Sequence, residues 1–319
     1  METVDFRALF IDPLTLAAGW NGDPCPFLLV DLAALPMDMA GLQLPPCPLI
    51  GVGNSAHPMA SRVDLRVETP ATLEGLATSI AANPTAAAVL VQLLRGIEGR
   101  PPEAALVQES MAYGLLQGGA AHAAWLAARV PGEPVSPGEL HMERVGDRLD
   151  LLLDRPVARN AIDRAMRDAL HEAFTLVALD GSIEAVTLRG AGKAFSVGAD
   201  LDEFGTTRDP AEAHAIRMTT LPAHAIVRCR DRLSVHVQGA CVGAGLEMAA
   251  FATRLTATPD SWFQLPELAM GLLPGAGGCV SVSRRIGRQR AALMILSGKR
   301  ISASTALSWG LIDAIVEEG

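Results

Sequence analysis

An α/β fold is predicted for this chain, with helices covering a parallel or mixed sheet. Three observations carry the prediction. Short runs rich in Leu and Val recur between residues 149 and 237, separated by segments with helical spacing. Val237-Gln-Gly-Ala-Cys-Val-Gly-Ala-Gly-Leu-Glu-Met-Ala249 reads as a strand, a glycine-rich turn and a helix start. Pro131-Gly-Glu-Pro-Val-Ser-Pro-Gly138 then reads as a linker, because Pro and Gly both oppose regular structure.

Taken in order, Phe27–Leu32, Pro48–Val52 and Val63–Val67 are apolar enough for strands. The run Leu44-Pro-Pro-Cys-Pro48 is a rigid connection, and Thr72–Ala82 is a helix candidate. Ala86–Leu94 fits a buried strand or a short helix, and Pro102–Arg129 has a long Ala-rich helical pattern, so strand-helix-strand-helix is expected here too. Beyond the linker, strand Leu149–Leu153 ends at Arg155-Pro156, and Asn160, with Asp163 three residues on, caps a helix over Ile162–Leu179. Strand Ala185–Arg189, a small-residue loop over Gly190–Gly198, helix Pro210–Arg230, strand Leu233–Val237 and helix Gly243–Ala252 complete the alternation. The expected organisation is an α/β region over residues 1–130 with no chemical signature, a linker over 131–140, and a catalytic region over 141–319.

Composition narrows the function. The chain has 319 residues, 50% of them hydrophobic, enough to bury a large core. A net charge of −9 disfavours nonspecific binding to nucleic acid or anionic membrane. The opening residues Met-Glu-Thr-Val-Asp5 are not an apolar leader, and Ala86–Leu94 is too short to span a bilayer, so a soluble, cytoplasmic protein is expected. Cys25, Cys47, Cys229, Cys241 and Cys279 form no C-x-x-C pair, and the seven histidines show no metal spacing, so no metal is expected.

Chemistry concentrates in the glycine-rich segment. A helix start there offers unpaired N–H groups to a developing negative charge. Glu247 in its first turn and Glu267 in Leu265-Pro-Glu267 add two carboxylates that can move protons. Alone, Glu247 reads equally as a helix-dipole partner and Glu267 as a turn residue.

Gly192-Lys-Ala-Phe-Ser-Val-Gly-Ala-Asp-Leu201, Gly243-Ala-Gly-Leu-Glu247, Gly271-Leu-Leu-Pro-Gly-Ala-Gly-Gly278 and Arg155-Pro-Val-Ala-Arg-Asn-Ala161 occur together. In this order and spacing they resemble the crotonase superfamily, the enoyl-CoA hydratase/isomerase family, over about residues 140–319. The resemblance implies a crotonase-like spiral of ββα units in that part. It puts the two oxyanion-hole amides on Ala199 and Ala244. Glu247 falls where the family activates a water, and Glu267 where it delivers a proton to C2. Lys193, Ala199, Asp200, Leu201 and Gly243 are the candidates for contact with the acyl-CoA substrate. Asp200 also reads as a backbone-bonding turn residue, and Lys193 as solvated. Arg284, Arg285, Arg288 and Arg290 read as an exposed helix face more readily than as a site for the CoA phosphates.

Gln238-Gly239 stands where the family usually has Asn-Gly, and Ala252-Thr253 where Cys-Asp is common. Trp262 and Phe263 are bulky neighbours for Glu267 and are expected to narrow the acyl pocket. The family usually continues beyond the Gly310–Val316 segment into helices that complete the CoA site; the N-terminal 130 residues are expected to supply that cover. The resemblance implies hydration of a 2-enoyl-CoA, with no cofactor beyond the substrate's own coenzyme A, in a homo-oligomer. Isomerisation, thioester hydrolysis, decarboxylation, a dioxygen-using reaction and a noncatalytic acyl-CoA-binding subunit are the alternatives.

Overall fold

The computed structural model of the chain describes residues 9–17, 22, 25–35, 43–53, 56–68, 73–133 and 135–317. The expectations for Met1–Asp5, Thr72 and Pro134 lie outside these residues. After α1 (Pro13–Ala17), β1 (Leu28–Asp31), β2 (Leu49–Val52) and β3 (Leu65–Val67) form a parallel sheet in that order. Side-chain alternation sends Leu28, Val30 and Leu49 into a small cluster with Leu16, Met59 and Val63, while Leu29, Ile50 and Leu65 join the main core.

Helices follow without further strands: α2 (Glu74–Ala82), α3 (Pro84–Ile97), α4 (Pro102–Gln117) and α5 (Ala120–Ala128). The ambiguous Ala86–Leu94 is helix, because Pro84 starts α3 at a position that needs no N–H donor. The single helix expected over 102–129 is two, parted at Gly118-Gly119 where Gly119 turns extended.

Past the linker, β4 (Glu139–Val145) and β5 (Arg148–Asp154) form an antiparallel hairpin about Gly146, whose φ of 65° suits the tight turn. Strand β4 was not expected: it is an exposed, charged edge with no apolar alternation to reveal it. Next come α6 (Arg164–Leu179), β6 (Ala185–Gly190), α7 (Pro210–Thr220) and α8 (Pro222–Cys229), the last two parted at Pro222. The chain continues with β7 (Leu233–Val237), β8 (Ala240–Val242), α9 (Ala244–Ala249), β9 (Arg254–Ala257) and β10 (Trp262–Gln264). It ends with α10 (Gly278–Ile286), α11 (Arg288–Ser297), β11 (Ile301–Ser302), α12 (Ala303–Trp309) and β12 (Ala314–Ile315).

Asn160 does not cap α6. Asp163 does, accepting from the Met166 N–H at 2.9 Å. Asn160 instead takes a left-handed conformation and donates to the carbonyls of Ala191, Ala194 and Phe195, fixing the following loop.

Strands β12-β9-β7-β6-β5-β4 make the large sheet and β11-β10-β8 a small one. Each ββα turn gives one strand to each sheet and then a helix: β7, β8 and α9, then β9, β10 and the 3-10 turn Glu267–Met270. Cys241 of β8 pairs in parallel with Phe263 on one side and with Ser196 on the other. The chain segments that follow these three residues therefore emerge side by side, and they carry Ala199, Ala244 and Glu267.

One hydrophobic cluster runs from Leu29 and Ile50 through α2, α3 and α4 into β5, β6 and β7. The two parts are also pinned by charge. Buried Asp64 accepts from the Leu49 N–H at 2.8 Å, from Arg95 Nε at 2.8 Å and from Arg288 Nη1 of α11 at 3.3 Å. Arg288 is thus buried and Arg285 reaches Asp313, so these two leave the exposed face expected for the arginine cluster. Asp64→Ala removes the carboxylate both guanidinium groups share, leaving Arg288 with Glu98 and Arg95 with the carbonyls of Pro45 and Cys47, and should cost about 1.5–3 kcal/mol, read as a lower midpoint in urea unfolding. Among the described residues no single helix is long and apolar enough to cross a membrane.

Candidate active site

Glycine shapes the site's backbone. Gly198 has φ 94°, and a Cβ there would lie 3.0 Å from the Val242 carbonyl and 3.5 Å from Gly243 Cα. Only a glycine lets the 196–199 loop run this close to the end of β8. The Ser196 N–H donates to Ala240 O at 3.1 Å and the Val242 N–H to Ser196 O at 3.0 Å, locking the two segments in register. Ala199 and Ala244 then follow on neighbouring tracks. Neither N–H has an acceptor among the described residues, and both residues line one cavity of about 340 Å³.

Glu247 and Glu267 line the same cavity, and both are buried. The turn after Pro274 holds Glu247: the N–H groups of Ala276 and Gly278 donate to its Oε2 at 2.7 and 2.8 Å. Burial pushes its carboxyl up to about 7, against the pull of those two donors. Glu267 is helped only by its own backbone N–H. Its Oε2 is buried without a hydrogen-bond partner among the described residues, and its Oε1 lies 2.9 Å from where a Cβ on Gly243 would stand. Burial first, then the Glu247 charge, pushes Glu267 well above the ordinary range. The two carboxyls are thereby set apart: Glu247 ionises near neutrality, and Glu267 holds its proton to higher pH.

Gly243, Asp200 and Leu201 also line the cavity. Asp200 is already engaged: its Oδ2 accepts from buried Arg155 at 2.6 Å, and its Oδ1 accepts from the Asp202 N–H at 3.0 Å. That favours the turn reading of Asp200. Lys193 is exposed and does not line the cavity. Among the described residues no group of three or more His, Cys, Asp or Glu side chains is arranged to hold a metal ion.

The part before the linker supplies a wall of the cavity, in line with the cover expected of it, through residues that sequence reasoning did not name. Tyr113 and Gln117 of α4 and His122 of α5 line it, as does Arg217 of α7. A further carboxylate, Glu109 of α4, is buried behind Glu247 and accepts from the Gly277 N–H at 2.6 Å. Burial and the Glu247 charge push Glu109 well above the carboxylate range. The available signal was a spacing of four: Glu109, Tyr113 and Gln117 are polar residues on one face of an otherwise Ala- and Leu-rich helix.

The family described as "Enoyl-CoA hydratase/isomerase" matches residues 149–319. A mevalonyl-coenzyme A hydratase of Beauveria bassiana is 34% identical over 179 residues, 54% of this chain and 64% of that protein. A 2,3-dehydroadipyl-CoA hydratase of Escherichia coli is 33% identical over 178 residues, 56% of this chain and 69% of that protein. The solved structure of an enoyl-CoA hydratase from Thermoplasma volcanium superposes with a TM-score of 0.51 at 32% identity, covering 56% of this chain and 72% of that one. The matched segment thus spans roughly two thirds of the curated relatives, and the family match itself begins at residue 149.

Proposed function

The chain belongs to the enoyl-CoA hydratase/isomerase family, and from that premise we propose that it hydrates a 2-enoyl-CoA thioester to a 3-hydroxyacyl-CoA. The observation that carries the reading is the split between Glu247, held by two amide donors, and Glu267, with a buried oxygen left bare. Both stand beside a pair of N–H groups that have no acceptor among the described residues.

The thioester oxygen would accept from the Ala199 and Ala244 N–H groups, each such donor being worth about 10²–10³ in rate. That pull makes C3 electrophilic. Ionised Glu247 takes a proton from a water whose oxygen bonds to C3, and the double-bond electrons move onto the thioester as an enolate. Protonated Glu267 then delivers its proton to C2, and the enolate collapses to the thioester. Proton exchange with solvent returns Glu247 to its ionised form and Glu267 to its neutral form. Nothing in these steps calls on a metal or a redox cofactor.

Loss of enoyl-thioester absorbance with crotonyl-CoA and longer 2-enoyl-CoAs, and a 3-hydroxyacyl-CoA product, tests the proposal. A displaced double bond as product would make the chain an isomerase, and binding without any turnover a noncatalytic acyl-CoA binder. The pH dependence has a definite sign. Because Glu247 must be ionised, kcat/KM should rise about tenfold per unit up to about 7. It should fall again at higher pH, where Glu267 loses the proton it must give.

A further inference from the structure

We propose that Tyr113 determines which acyl chains this site accepts, its ring forming the wall on which the acyl group of the CoA thioester ends. The inference rests on the reading of the cavity as an acyl-CoA site. It concerns a residue outside the family-matched segment, on a helix for which the resemblance implies no role.

Helix α4 is fixed at either side of Tyr113. One turn before it, Glu109 accepts from the Gly277 N–H at 2.6 Å and the Val280 N–H at 3.3 Å, so the turn that holds Glu247 also holds α4. On the other side Arg217 donates to Ser110 Oγ at 2.9 Å, Ser110 O at 3.1 Å and Gln117 Oε1 at 3.0 Å. The same guanidinium lies 4.7 Å from the centre of the Tyr113 ring. The ring also presses on Gly275, where a Cβ would come within 2.2 Å of Tyr113 Cδ2. A ring covered by a guanidinium, seated on a glycine and carried by an anchored helix has little freedom to move aside.

Its place along the substrate follows from the order of groups in the cavity. With the thioester oxygen at Ala199 and Ala244, C2 and C3 fall at Glu267 and Glu247. Tyr113 comes next: it lines the same cavity, and its ring rests on Gly275, the neighbour of Ala276, whose N–H holds Glu247. Atoms beyond C3 therefore run toward an aromatic wall. A rigid wall discriminates by length, since one methylene too many or too few in a pocket is commonly worth about tenfold or more.

Tyr113 is the only tyrosine in the chain, so labelling the full-length protein with 3-fluorotyrosine gives one ¹⁹F resonance assigned without mutagenesis. The probes are CoA, butyryl-CoA and decanoyl-CoA; the saturated thioesters bind without being hydrated. Butyryl-CoA should shift the resonance and free CoA should leave it in place. Tyr113→Ala should improve the affinity for decanoyl-CoA relative to butyryl-CoA by at least about tenfold, while Tyr113→Phe, which keeps the ring, retains the wild-type preference. A resonance indifferent to the acyl group overturns the proposal even if Tyr113→Ala fails to fold, and so does an unchanged preference in a folded Tyr113→Ala. Binding that discriminates chain length without turnover of any 2-enoyl-CoA sinks the hydratase reading and leaves this one standing. Turnover with an unmoved resonance does the reverse, and failure to bind any acyl-CoA overturns both.

Discussion

Glu267→Gln should lower kcat by about 10²–10⁴-fold while saturated acyl-CoAs bind with nearly wild-type affinity. An amide cannot give up the proton that C2 needs, yet it fills the same space beside Gly243 and leaves the Ala199 and Ala244 N–H groups untouched. Steady-state turnover and calorimetric titration on the same preparation separate the two effects. The variant should also be more stable than wild type at alkaline pH. Glu247 and Glu267 both have folded-state values above the ordinary carboxylate, so their neutral forms favour the fold. That contribution is complete below the unfolded value of 4.5 and is lost as pH rises, through about 7 for Glu247 and higher for Glu267. Glutamine at 267 keeps a neutral group at every pH, and its advantage should therefore grow from about 4.5 upward as pH rises.

Gly198→Ala should reduce kcat by about 10²–10³-fold without touching either glutamate. At φ 94° a side chain is strained, and the new Cβ would stand 3.0 Å from the Val242 carbonyl, a backbone atom that cannot swing away. The 196–199 loop must then withdraw from the end of β8, taking the Ala199 N–H with it. Since the Ile162 N–H donates to Gly198 O at 2.8 Å, a smaller stability loss should accompany the rate effect. Reduced kcat with retained acyl-CoA binding is the expected pattern; a loss confined to binding would place Ala199 elsewhere in the chemistry.

The legible parts of this fold were those written in local backbone chemistry. Gly243, Gly198 and Pro266 punctuate the chain wherever it turns into the cavity, and Glu247 and Glu267 stand at fixed offsets from them. The pairing that brings these loops together, Cys241 between Ser196 and Phe263, joins segments distant in sequence and leaves no local mark. Helix α4 shows the same limit more sharply. Its polar spacing was present in the sequence, but Glu109 acquires meaning only when it meets the N–H groups of Gly277 and Val280, far along the chain. Arg288 reads in the sequence as one more exposed cation, because its partner Asp64 lies 224 residues away. Asn160 was misread for the converse reason: a good capping residue was put to use bonding loop carbonyls, and Asp163 took the cap.

The central claim is that the Ala199–Ala244 amide pair and the split Glu247–Glu267 couple add water across an enoyl thioester. Incubating the protein with crotonyl-CoA in deuterated, ¹⁸O-enriched water tests this directly. Wild type should form a 3-hydroxybutyryl-CoA carrying ¹⁸O on C3 and one deuterium on C2, and both labels should be lost together in Glu247→Gln and Glu267→Gln. Deuterium gained without ¹⁸O, or hydration that survives both substitutions, would contradict it.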